Sequence, residues 1–117
     1  MALAVNQQTD LTTLVVHAVA DNYPAGHARV TDHETPDGRV PVLLIEAAQR
    51  AEVIVPAAVA LTTMGPSLSD ADLPRDVWVL VEASRMGAAH RALRGSGVTL
   101  QPWWEDGHIH FGRPERS

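Results

Sequence analysis

Two periods of hydrophobicity alternate along this chain, and each change of period marks an element. In residues 10–22, DLTTLVVHAVADN, the apolar side chains Leu11, Leu14, Val15 and Ala18 recur at helical spacing. This predicts an amphipathic helix with that stripe against the core. Asp10 stands where an N-cap belongs, His17 falls on the opposite face, and Tyr23-Pro24-Ala25-Gly26 ends the pattern. Strand-like runs follow. Residues 27–34 and 39–46 predict paired strands around Thr35-Pro36-Asp37-Gly38. Pro and Gly there fit a type I turn, with Gly38 as the left-handed residue of a three-residue loop. The second strand contains VPVLLI, apolar on both faces, which predicts a central strand. Pro41 removes a ladder donor near that strand's start, where the loss is tolerated.

The segments VIVPAAVA (53–60) and VLVEASRM (79–86) resemble each other, and each predicts a short buried strand running into a helix. The second helix covers about 84–95, with Ser84 as N-cap and Met86, Ala89, His90 and Leu93 facing inward. His90 is expected as a packed core residue, while Arg91 and Arg94 face outward. Gly95-Ser96-Gly97 closes the helix. Between the two units, GPSLSDADLPRD predicts a polar loop with one helical turn opened by Ser69. VTLQPWW (98–104) and HIHFG (108–112) predict strands joined by a two-residue turn at Asp106-Gly107. Residues 43–64 read either as strand, loop, strand and helix or as one long helix, because a short apolar run fits both periods. The pattern predicts a mixed α/β (α+β) fold, a single small domain over 1–117 with residues 1–8 and 112–117 frayed. It has a five- or six-stranded mixed sheet, hairpins at both ends and two to three helices.

Composition narrows the function classes. A chain of 117 residues can bury a real core. It has no cysteine, which excludes disulfides, thiolate metal sites and a cysteine nucleophile, and which suits a reducing cytoplasm, the expected location. No apolar run is long enough for a membrane span, and no secretory signal pattern opens the chain. All nine basic residues are arginine, in keeping with biased codon usage, and the net charge is −5. An acidic chain neutralises phosphates poorly, so nucleic acid is not an expected partner.

A helix followed by two strands with an acid on each, Asp32 and Glu46, resembles the restriction-endonuclease-like core in broad plan. The likeness spans roughly half of the chain and has no specific motif. It implies a second strand carrying an acid, a spacer and a lysine. Glu46-Ala47-Ala48 stands there instead, and the chain contains no lysine. In the predicted register Asp32 lies opposite Val42 and Glu46 opposite Ala28, about 13 Å apart along the ladder. Two carboxylates that share a cation each need to be within about 2–2.6 Å of it. With a loop of two or four residues the acids point to opposite faces. An active nuclease is therefore excluded, and a catalytically dead relative assisting a DNA-acting complex stays as an alternative.

The terminal hairpin carries the richer cluster. A two-residue turn pairs Glu105 with His108, Trp104 with Ile109 and Trp103 with His110. Trp104, Ile109 and Phe111 then face the core, and Trp103, Glu105, His108 and His110 form the outer face. An exposed Trp beside His and Glu is the composition of an interface anchor, and His108 and His110 would make such an interface sensitive to pH. The alternative is a metal or enzyme site built on His108, His110 and Glu105, because imidazole suits zinc, copper and nickel. His108, His110 and Glu115 also resemble part of a cupin metal motif, without the further strands that fold requires. Arg85, Arg91 and Arg94, with Arg50, form a candidate anion patch. No serine stands in a nucleophile elbow, and no glycine-rich loop opens a helix as a phosphate cradle would. The expectation is a non-catalytic protein without cofactor or metal, acting through contacts with a protein partner or with itself.

Overall fold

A computed structural model describes residues 3–69 and 71–117, and side chains from residue 11 onward. Helix α1 (Leu3–Ala20) leads into the strands β1 (Ala28–Thr35), β2 (Gly38–Ile45) and β3 (Arg50–Ile54). Helix α2 (Leu61–Ser69), strand β4 (Asp76–Glu82), helix α3 (Met86–Ala92) and strand β5 (Thr99–Glu105) follow. Strands β6 (Ile109–Phe111) and β7 (Glu115–Arg116) come last. The sheet order is β1-β2-β3-β4-β5-β6, with β7 also on β5. The first three strands are antiparallel, β3, β4 and β5 run parallel, and β6 and β7 return antiparallel. This is the expected small mixed α/β domain, with one short strand more than expected.

Helices cover both faces. On one, Val42, Val53, Val79, Val81 and Leu100 pack against Leu61, Met64 and Leu68 of α2 and Ala89 and Leu93 of α3 or its end. On the other, Leu43, Ile45, Ile54, Leu80 and Trp103 pack against Val15 and Val19 of α1. Strands β2 to β4 are buried on both faces, as continuous apolar runs require.

Several boundaries differ from the sequence reading. Helix α1 begins before Asp10, which is therefore inside the helix and is not its N-cap; of the expected frayed start, residues 1–2 lie outside the described residues. The buried stripe runs Leu11, Val15, Val19, and Leu14 is 52% exposed. Residues 43–64 form strand, turn, strand, loop and helix. A 3-10 turn at Glu46–Ala48 and the left-handed Gln49 (φ 49°) interrupt any long helix. Strand β3 starts at Arg50, earlier than expected. The segment read as a polar loop contains most of α2 despite Gly65 and Pro66. Its three buried positions, Leu61, Met64 and Leu68, pin it to the sheet and override poor propensity. Ser69 ends this helix instead of opening one.

Ser84 does not cap a helix: it lies in a 3-10 turn, Ala83–Arg85, and its hydroxyl donates to Glu82 Oε1 at 2.6 Å. His90 is half-buried and pairs with Glu115 at 2.7 Å, so it clasps β7 instead of packing in the core. That pair, the β7 ladder and the Ser117 N–H bond to the Val98 carbonyl at 3.1 Å order the segment expected to fray.

The first hairpin closes one residue tighter than expected. Thr35 lies opposite Gly38, so the turn holds only Pro36 and Asp37. Thr35 Oγ1 donates to the Gly38 carbonyl at 2.6 Å and accepts the Asp37 N–H at 3.2 Å. Asp37 Oδ2 in turn accepts the Ala60 N–H at 3.0 Å, which ties the turn to the start of α2.

Candidate functional sites

The C-terminal hairpin is also displaced by one residue, with chemical consequences. Glu105 pairs with Ile109, Trp104 with His110 and Trp103 with Phe111, around the three-residue loop Asp106-Gly107-His108. Cross-strand partners share a face, so Trp103 joins Ile109 and Phe111 under α1, and Trp104 and His110 lie on the other side. The two tryptophans have thus exchanged their expected roles. Trp103 is 5% exposed and Trp104 is 40% exposed. The Trp104 and His110 rings stack at 5.6 Å, and His110 Nε2 bonds Asp106 Oδ1 at 2.6 Å. Glu105 does not join them, because its carboxylate accepts the Gly107 N–H at 2.6 Å. His108 faces a shallow groove with Leu14, His17, Asp21 and Ile109. Among the described residues, no group of three or more His, Asp and Glu side chains stands ready to hold a metal.

A second polar cluster went unforeseen. Glu52, in the middle of β3, is only 4% exposed and accepts a hydrogen bond from the Tyr23 hydroxyl. Arg50 donates to Asp76 at 3.0 Å and to Tyr23 at 3.4 Å, and its guanidinium lies 4.3 Å from the centre of the Trp78 ring. Trp78 Nε1 donates to Asp76 at 3.1 Å, which closes the network. Burial pushes the Glu52 carboxyl above its usual range, against the opposing pull of the Tyr23 bond and the Arg50 charge. Burial likewise raises Tyr23, with Glu52 adding to it, so the phenol stays a donor. The available signal was a lone carboxylate within the apolar run AEVIV, hidden because the strand was expected to start at Val53. This network fastens the end of α1 to the sheet. Glu52 is its buried member, while the Arg50 and Asp76 side chains reach the surface.

A third feature lies at the carboxyl ends of the parallel strands. Val55, Pro56 and Ala57 after β3, Glu82 at the end of β4, Arg85 beyond it and Trp103 of β5 surround a recess of about 50 Å³, with Leu11 and Thr12 of α1 as a wall. Arg85 donates to the carbonyls of Pro56 at 3.1 Å and Val59 at 2.8 Å. The Trp103 indole N–H is buried and has no acceptor among the described residues.

Of the arginines expected as an anion patch, two are engaged by other partners. Arg50 lies on the α1 face, bonded to Asp76, and Arg85 is turned onto loop carbonyls. Arg91 and Arg94 remain exposed on and just beyond α3. The front-hairpin acids stay apart as well. Asp32 lies opposite Pro41, while Glu46 has left β2 and meets Arg29 at 3.7 Å. The order helix, strand, strand is present without the site it suggested. No family model, curated protein or solved structure matches this chain.

Proposed function

We propose that the protein is a non-catalytic binding domain that works through protein contacts, and that its first partner is a second copy of itself, joined through the β6 edge. The observation that carries this is the contrast between the two edges of the sheet. Edge strand β1 presents Arg29, Asp32 and Glu34 at exposed positions, the charged guard that stops edges from pairing. Edge strand β6 itself reads Ile-His-Phe, and the charged residues on its side of β5 lie in the turn before it and in β7 after it. Among the described residues three large apolar side chains are exposed: Val30 lies on β1, and the other two flank β6, Trp104 on one face and Leu14, across the groove from Ile109, on the other.

A two-fold axis through β6 would set like patches against each other, the commonest arrangement of homodimers. Trp104 stacks on His110, a contact that restrains the ring and so lowers the entropy cost of using it as an anchor. Arg113 and Arg116 lie in sequence near Glu105, Asp106 and Glu115, so both signs of charge are at hand to offset the net −5. Sedimentation equilibrium across a wide concentration range tests the reading. The wild type is expected to dimerise, and Trp104→Ala and Leu14→Glu to remain monomeric. A wild type that is monomeric throughout ends the proposal, and so does a Trp104→Ala variant that dimerises unchanged.

A further inference from the structure

One glycine beside the β6 edge is required by its neighbours and not by its backbone. Gly26, Gly38, Gly95, Gly97 and Gly107 all have positive φ, where glycine is favoured; Gly112, the residue after β6, does not. Its φ is one that other residues adopt, yet a side chain has no room. A Cβ on Gly112 would lie 2.7 Å from Pro102 Cγ and 3.4 Å from Trp104 Cζ3. The first distance is well inside the roughly 3.5–4.0 Å at which carbon atoms rest. The proline ring cannot swing aside as a long side chain could. Such a glycine marks the close approach of another group.

The neighbours are the exposed tryptophan and its strand. Side chains alternate along a strand, so Trp103 turned under α1 puts Pro102 and Trp104 on the opposite face. His110 pairs with Trp104 there, and Gly112, two residues on, faces Pro102 on the same side. The chain is fixed at this spot. The Gly112 N–H donates to the Pro102 carbonyl at 2.9 Å, and the Gly112 carbonyl accepts Gln101 Nε2 at 3.0 Å. The Trp104 indole thus stacks on His110 at 5.6 Å, and its Cζ3 edge lies over the bare backbone of Gly112. A ring covering a glycine of the neighbouring strand is a diagonal cross-strand contact, within reach of aromatic side chains. We propose that Gly112 is a positioning residue for self-association: by leaving its Cβ site empty, it seats the Trp104 ring against β6 at the angle the dimer contact uses. The inference rests on the β6-edge reading and gives that contact a determinant that acts through Trp104.

The test pairs Gly112→Ala with the double variant Pro102→Ala/Gly112→Ala, in which the obstructing ring is gone. Two signals are read on the full chain. One is the ring-current displacement of the His110 imidazole protons, by NMR at dilutions where the protein is monomeric. The other is the dimer constant, by sedimentation equilibrium. Gly112→Ala should lose most of the His110 displacement and weaken the dimer by about ten-fold or more, as for an unseated aromatic anchor. The double variant should return both to within about two-fold of Pro102→Ala alone. If Gly112→Ala does not fold, Gly112→Val in the Pro102→Ala background takes its place, because its methyls enter the seat of the ring; the same two losses are expected. An unchanged His110 displacement would overturn the proposal. So would a lost displacement with an unaltered dimer, or losses in the double variant as large as in Gly112→Ala, which would mean a general loosening of the hairpin. A wild type that stays monomeric ends the dimer reading and the self-association role with it, while the His110 signal still decides whether Gly112 seats the ring.

Discussion

The two faces of the sheet are built from different materials. The face under α2 and α3 is aliphatic: valines of β2 to β4, Leu100, and Leu61, Met64, Leu68, Ala89 and Leu93 from the helical side. The face under α1 holds four of the five aromatic residues, Tyr23, Trp78, Trp103 and Phe111, and with them the buried Glu52 and its neighbours Arg50 and Asp76. Aliphatic packing is non-directional and depends on volume. The aromatic and polar layer depends on particular donors and acceptors, and a missing partner there is costly. The first face is aliphatic throughout its core, and the second carries the buried carboxylate and the unmatched indole.

Substitutions can break or sharpen this contrast. The largest effect is expected on the aliphatic face: Met64→Ala, at a fully buried position, should cost about 2–5 kcal/mol in urea unfolding. Tyr23→Phe changes almost no volume but removes the hydroxyl donated to Glu52, and should cost about 1–3 kcal/mol. Equal costs for a cavity of several atoms and a single hydroxyl would show the polar face to be the true keystone.

The third test uses pH. The folded pKa of Glu52 is raised, so the folded state holds its proton more tightly than the unfolded chain does. Its favourable contribution is complete below the unfolded carboxyl pKa and is lost as pH rises through the folded value. Glu52→Gln should therefore gain on the wild type between pH 4 and pH 7, as read by unfolding midpoints at those two values. A constant difference would mean that burial does not govern this carboxyl. The smallest effect on stability is expected at Trp104→Ala, within about 0.5 kcal/mol, because the ring is at the surface.

The two hairpins explain how much could be read from the sequence. Both turns were placed correctly, and both registers were off by one residue. In the first hairpin this had little consequence, because β2 is apolar on both faces and its burial does not depend on the register. In the second it reversed the outcome. Only one face of β6 is packed, so moving Ile109 from Trp104 to Glu105 sent Trp103 inward and Trp104 outward. An adjacent Trp-Trp pair announces that one ring is buried, but the loop length decides which, and Asp-Gly suits both a two-residue turn and the longer loop found here. A helix after VIVPAAVA is legible in the sequence, but the extension of α2 through residues 65–69 is hidden for another reason. Gly65 and Pro66 speak against a helix locally, and only the sheet beneath Met64 and Leu68 tips the balance.

Arg85 braces the segment after β4 against the loop after β3, with one nitrogen on each of two carbonyls. Such a clamp couples two connections that lie far apart in the sequence. Losing it in Arg85→Ala should loosen both at once, so that amide hydrogen exchange quickens in residues 56–59 and 83–86 together.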